Sequence, residues 1–138
     1  MEKIIIFIIL SLFSFFGIAQ QPDPEGTDHY IQVFINTDGE IWLERDLVKI
    51  DEIKKQVDKI IRQIPFRPDR KLIFRIFADE NLSLGFIQNV ENEMLKAYSD
   101  NVMRERYLLD SRQMNLDGPG WLQNINFKEL KAIHSDGS

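Results

Sequence analysis

The residue types that most often perform catalysis are few and widely separated in this chain. Its two histidines, His29 and His134, stand at opposite ends of the region predicted to fold, so no spacing supports a nucleophile and base pair or a histidine metal site. No serine lies in a Gly-x-Ser-x-Gly context, which would place a hydroxyl on a sharp nucleophile turn. The chain has no Cys, which excludes disulfides, thiolate zinc sites and a thiolate nucleophile.

Carboxylates are more numerous and fall into five short clusters. These are Asp23 to Glu25, Asp38 to Glu40, Asp51-Glu52, Asp79-Glu80 and Glu91 to Glu93. A two-carboxylate hydrolase needs opposed acids with separated pKa values in one cleft, whereas most of these positions lie in predicted turns and helix starts. The run Asn36–Glu40 has too few ligands for a calcium loop and fits a hairpin turn better. No nucleotide-binding motif is present either, so we expect no catalytic residue, metal or cofactor.

Length and composition limit the chain to one small folded unit. It has 138 residues, 43% of them apolar, which suffices for a single core. The formal net charge of −5 gives no general attraction to phosphate, which requires clustered Lys and Arg. Nucleic acid is therefore not an expected partner.

The first 19 residues have the layout of a secretory signal peptide. Lys3 precedes an apolar run from Ile4, and the small residues Gly17 and Ala19 occupy positions suited to cleavage. The alternative is a short uncleaved membrane anchor. Residues 20–28, with two Pro and a Gly, form a predicted linker. The expected location is periplasmic or secreted after cleavage near Ala19, or else anchored in the inner membrane with the domain in the periplasm.

A β-hairpin is predicted at the start of the domain. Apolar residues alternate from Ile31 to Ile35, Asp38-Gly39 supplies turn chemistry, and a second short strand ends at Leu43. Phe34 and Trp42 lie on the face opposite the alternating row. They are expected either to shield an edge or to contact a partner.

Two helices and a third strand follow the hairpin. Helical spacing of apolar residues predicts a first helix over residues 50–64, which Pro65 ends, and alternation predicts a strand over residues 72–78. Arg75 falls on the more exposed face of that strand and is a third candidate for a partner contact. A second helix is predicted from about residue 83 to about Tyr107, because no Gly, Pro or hairpin signal interrupts residues 87–116.

The C-terminal residues 111–138 form a predicted extension of the domain at 29–110. A turn at 117–120 precedes Trp121, which is expected to pack back on the domain, and Asn126 is expected to cap a short helix. The predicted fold is therefore α+β. It is a two-layer sandwich of a small sheet, the hairpin plus a third strand, with two main helices on one face and a helical C-terminal tail.

Two segments carry a resemblance to a known family. The sequence IQVFINTDGEIWL over residues 31–43 and the Ala78-Asp79 strand end leading to Gly85 and an amphipathic helix resemble the periplasmic domain of the biopolymer transport ExbD/TolR family. The common family pattern adds a final strand after this helix, whereas the helix predicted here resembles a branch with a helical tail. The resemblance singles out Asp38, Gly39, Asp79 and Gly85. Asp79 is expected to accept backbone hydrogen bonds at a strand end, or alternatively to contact a partner.

The resemblance implies a non-catalytic interaction module in energy-coupled transport across the cell envelope. It implies a homodimer and partners such as an ExbB/TolQ-like channel, a TonB/TolA-like transducer or the cell-wall polymer. Family members that couple proton flow carry an Asp in a spanning helix, and no Asp lies between Ile4 and Ala19. The alternatives are a membrane-anchored ExbD-like motor subunit and a small secreted hydrolase.

Overall fold

The structure, a computed structural model, describes residues 28–65, 70–114, 116 and 118–133. The predicted signal segment, nearly all of the predicted linker and His134 lie outside these residues. The strands are β1 (His29–Ile35), β2 (Ile41–Leu43), β3 (Asp46–Val48), β4 (Leu72–Asp79), β5 (Val102–Leu109) and β6 (Lys131–Ala132). The helices are α1 (Ile53–Gln63) and α2 (Leu84–Ala97), and 3-10 turns occupy Ile50–Glu52, Trp121–Asn124 and Phe127–Glu129.

The strands form one mixed sheet in the order β3-β2-β1-β4-β5-β6. Strands β1, β4 and β5 run parallel, and the other neighbours are antiparallel. The carboxyl ends of the three parallel strands therefore meet at one end of the sheet. Helix α1 lies between β3 and β4 along the chain, and α2 connects β4 to β5.

Both helices pack on one face of the sheet. The main core between them joins the alternating apolar residues of the strands to one stripe of each helix, and its members include Ile31, Val33, Phe74, Val57, Val90 and Met94. The 3.6-residue period of α1 and the period of two in β1 and β4 make this packing possible. Ser83 begins α2, because its hydroxyl accepts a hydrogen bond from the Phe86 backbone N–H at 3.3 Å.

The opposite face of the sheet is covered by the C-terminal segment. Cross-strand pairing aligns a row of large side chains across five strands, Leu47, Trp42, Phe34, Phe77 and Tyr107. Trp121 packs on this row and is fully buried, with ring centroids 5.4 Å from Phe34 and 5.5 Å from Phe77. Ile125 and Leu130 extend the same cluster. The fold therefore has a third, irregular layer.

The predicted small sheet is wrong, because the sheet has six strands in place of a hairpin plus one strand. The helix predicted to continue to Tyr107 ends at Ala97, and residues 102–109 form β5, which pairs with β4 along its full length. Asn101 has a φ of 54° in the connecting turn, a conformation that Asn tolerates better than most residues. Pairing with β4 thus outweighs the helical pattern.

The predicted helical tail is also wrong. Asn126 does accept a hydrogen bond from the Lys128 backbone N–H, but the structure it begins is a single 3-10 turn. The chain then forms β6 along the edge of β5, with Tyr107 opposite Ala132. One short strand, β3, was not predicted at all. It follows β2 through the two-residue turn at Glu44 and Arg45, where Glu44 has a φ of 53°.

Among the described residues, no helix combines the length and apolar character that a membrane crossing requires.

Candidate functional site

A buried polar cluster forms where the three parallel strands end. Thr37 follows β1, Asp79 ends β4, and Ser111 follows β5. The Asp79 carboxylate is fully buried and accepts hydrogen bonds from the Thr37 hydroxyl at 3.0 Å, from the Ser111 hydroxyl and from the Ser111 backbone N–H at 3.0 Å. Its other oxygen accepts from the backbone N–H and the side-chain amide of Asn81, at 2.9 and 3.0 Å. One carboxylate therefore ties three loops together.

The donors around Asp79 determine its charge state. Burial alone would raise the pKa of this carboxyl, but hydrogen bonds from Ser111, Asn81 and Thr37 outweigh it and lower the pKa from 3.8 to about 2. The group is therefore ionised at neutral pH. With five donors on two oxygens, the carboxylate has a structural role in the folded chain and little remaining capacity to accept a proton from a substrate.

We expect Asp79→Asn to lower the free energy of unfolding by about 2 kcal/mol at pH 7, because a depressed pKa is a folded-state stabilisation of the ionised form. This contribution is fully present above about pH 4 and is lost as the pH falls towards about 2. Urea unfolding of both proteins at several pH values measures it. A difference that stays constant down to pH 3 would contradict the assignment.

The hairpin turn is held by a residue that the sequence did not single out. The side-chain oxygen of the buried Asn36 accepts from the Asp38 backbone N–H at 3.1 Å and from the Glu40 backbone N–H at 2.8 Å. Gly39 has a φ of 80°, the left-handed region that favours glycine. The Asp38 side chain is exposed. Of the two family-motif residues in this turn, Gly39 has a clear backbone role.

Gly85 has no such role. It is the second residue of α2, and a Cβ built there meets no atom within 4 Å. Among the described residues, no close contact at Gly85 requires a residue without a side chain.

We expect Gly85→Ala to raise the free energy of unfolding by about 0.5–1 kcal/mol, because Ala has the higher helix propensity and loses less backbone entropy. Thermal or urea unfolding tests this. A loss of stability would mean that the helix start is more crowded than the structure shows.

The two aromatic residues expected on an exposed face have different surroundings. Phe34 is fully buried beneath Trp121, so it is not available to a partner. Trp42 is half-buried at the margin of the same cluster. The C-terminal segment supplies the contact that the sequence suggested for a partner.

Arg75 is also engaged within the chain. Its Nε lies 2.7 Å from Glu105 Oε2, and its guanidinium stacks 4.0 Å from the centroid of the Tyr30 ring. The Tyr107 hydroxyl donates to the same Glu105 oxygen at 3.2 Å. Arg75 faces away from the helices, as predicted, but its charge is paired.

Strand β3 lies at one edge of the sheet. Among the described residues β3 pairs with β2 alone. Beside it lies a groove of about 620 Å³ between the hairpin, the Ile50–Glu52 turn and the start of α2. Its lining includes Ile41, Val48, Ile50 and Phe86 together with Glu40, Lys49 and Glu52. Two large apolar side chains of the lining are exposed, namely Leu47 at 55% and Ile50 at 36%.

Sequence reasoning missed Thr37, Ser111 and the groove residues. Thr37 and Ser111 are 74 residues apart, and only the sheet topology places them together. The groove had one local signal, because Leu47 is an apolar residue outside every predicted element. Within the described ranges, no three His, Asp or Glu side chains converge as a metal site would require.

No protein-family model matches this chain, and none of the curated proteins matches it.

Proposed function

We propose that this chain is a non-catalytic extracytoplasmic interaction module of the ExbD/TolR type, which takes part in energy-coupled transport across the cell envelope. Two local features support the proposal. The Thr37–Glu40 segment forms the turn between β1 and β2, and the Ala78-Asp79 pair ends β4 just before α2.

The position of β5 adds further support. The common pattern of the family places a final strand after the helix that corresponds to α2. β5 occupies that position and runs parallel to β4. The helical tail predicted from the sequence would have been a departure from the common pattern. The chain forms β5 after α2 instead, so it does not depart from the pattern in this respect.

The open edge of β3 with its apolar groove is the observation that carries the binding function. Large exposed apolar side chains beside an unpaired strand are typical of a surface that another protein covers. The buried polar cluster, by contrast, directs all its groups at one another. The proposed activity is therefore association, with an ExbB/TolQ-like channel, a TonB/TolA-like transducer or the cell-wall polymer as partner, and with a homodimer as the expected state of the chain.

Cysteine cross-linking in native cells tests this proposal. Because the chain has no Cys, Leu47→Cys introduces a single thiol at the open edge, and Asp100→Cys introduces one at an exposed turn before β5. With a thiol-directed photo-cross-linker, we expect Leu47→Cys to capture a channel-like or transducer-like envelope protein, and Asp100→Cys to capture much less of it. Mass spectrometry of the same material identifies the first residue of the mature chain.

The proposal fails if both variants give the same products and the purified chain is a monomer that ignores envelope proteins and cell-wall polymer. A mature chain beginning near Gln20 supports a released module. An intact Met1 in the membrane fraction supports an anchored one.

A further inference from the structure

We propose that the groove beside β3 binds an extended segment of a partner protein in which an apolar side chain is flanked by basic ones. This inference rests on the proposed function and specifies the chemistry of the partner at the same site. Three observations around the groove carry it: an unpaired strand, an apolar floor and exposed carboxylates.

The unpaired strand favours an extended occupant. Among the described residues β3 and β6 are the two edge strands, each hydrogen-bonded on one side alone, and β3 is the one that lies beside the groove. An added strand can pair with its backbone and place alternate side chains over the groove. Since β3 is three residues long, backbone pairing supplies few hydrogen bonds, and the side-chain contacts must supply most of the affinity.

The apolar floor favours one large aliphatic side chain in the occupant. The groove volume of about 620 Å³ lies within the usual range for ligand sites, and Ile41, Val48, Ile50 and Phe86 line it. Phe86 closes one end, where its ring lies against the hairpin turn at Gly39. A polar side chain placed over this floor would lose its hydration without gaining a partner.

The charges around the groove favour basic side chains on either side of that anchor. Glu40 and Glu52 line the groove with Lys49 as the single cation of the lining. Outside the lining, the neighbouring exposed residues carry both charges, Asp46 and Asp51 together with Arg45, Lys54 and Lys55. A second copy of this chain would bring the same carboxylates together, so like charges disfavour a homodimer through this edge. The homodimer of the proposed function would use another surface.

Synthetic peptides test the chemistry directly on the full mature chain. The probe is a capped peptide containing Lys-Val-Leu-Val-Lys, in which Leu and both Lys side chains lie on one face of a strand. One matched peptide has Glu in place of Lys, and the other has Asn in place of Leu. By isothermal titration calorimetry, we expect each matched peptide to bind about tenfold more weakly than the probe.

Two variants test whether the binding is at the groove. Glu40→Lys should weaken the Lys peptide about fivefold and strengthen the Glu peptide, whereas Asp100→Lys, with the same change in net charge at the opposite end of the sheet, should alter neither. A gain of affinity for the Glu peptide cannot result from misfolding.

The inference is overturned if the Lys peptide binds no better than the Glu peptide, or if Glu40→Lys and Asp100→Lys have equal effects. Either result would leave the proposed function standing, provided that Leu47→Cys still captures an envelope protein in cells. If that capture fails as well, and the purified chain is a monomer that ignores envelope proteins and cell-wall polymer, the proposed function itself is wrong.

Discussion

Trp121→Ala should lower the free energy of unfolding by about 3–5 kcal/mol, the usual effect of removing a large buried aromatic side chain. Trp121 is fully buried, and it contacts Phe34 and Phe77 on the two central strands. Its indole Nε1 also donates to the Glu44 backbone carbonyl at 2.7 Å. Urea unfolding followed by far-ultraviolet circular dichroism measures the loss.

Trp121→Phe separates the two contributions of this side chain. It keeps an aromatic ring over Phe34 but leaves the Glu44 carbonyl without its donor, so we expect a smaller loss of about 1–3 kcal/mol. Phe127→Ala, which removes another aromatic residue of the same segment that is 55% exposed, is the matched control and should have a small effect. Equal losses for Trp121→Ala and Phe127→Ala would show that the third layer is not a packed core.

Glu91→Ala should cost about 3 kcal/mol or more, because it leaves a buried cation without its counter-ion. The Glu91 side chain is 3% exposed and lies between two arginines of β5. Arg106 binds it through Nε and through an η nitrogen 2.6 Å from Oε1, and Arg104 approaches at 3.1 Å. Arg106 is 14% exposed and cannot regain its hydration, whereas the half-exposed Arg104 can.

A double variant tests whether charge pairing is the cause. In Glu91→Leu with Arg106→Met both charges are removed, and well-packed apolar replacements of a buried ion pair are often neutral. We therefore expect the double variant to be more stable than Glu91→Leu alone, by urea unfolding. If the losses of stability in Glu91→Leu and in Arg106→Met, measured separately, simply add in the double variant, the effect comes from side-chain packing and not from the ion pair.

Local patterns were sufficient to predict β1, β2 and α1. The alternation from Ile31 to Ile35, the Asp38-Gly39 turn and the helical spacing over residues 50–64 all correspond to elements of the structure. One face of each of these elements packs against the main core, so apolar residues recur along that face with the period of the strand or helix. Phe34 lies on the other face of β1, and the segment that covers that face comes from near the other end of the chain.

The ion pair explains why β5 was missed. Arg104 and Arg106 occupy the helix-facing side of the strand, where an alternating pattern would have apolar residues. Their partner Glu91 is on α2, so the pairing is invisible in the strand itself. β3 has a related problem, since its turn at Glu44 and Arg45 lacks the Asn-Gly or Asp-Gly chemistry that marks such hairpins.

Part of the polar cluster was accessible from sequence. Asp79 was expected as an acceptor at a strand end, and backbone and side-chain donors from Asn81 do fill that role. The Thr37 and Ser111 donors come from loops 42 and 32 residues away, and only a parallel sheet places those loops beside Asp79. The surrounding topology, not the residue types, determines the site.

The third layer depends on contacts between distant parts of the chain. The hydrogen bond from Trp121 to Glu44 closes a separation of 77 residues, whereas the hairpin and α1 depend on near neighbours. Closing the longer loop costs more chain entropy, and Phe34 and Phe77 are exposed to water in any state in which the C-terminal segment has not packed on the sheet. A chain clipped before Trp121 would keep that apolar strip exposed and would tend to associate or be degraded. Only a chain that retains the residues from Trp121 onward can cover this apolar face of the sheet.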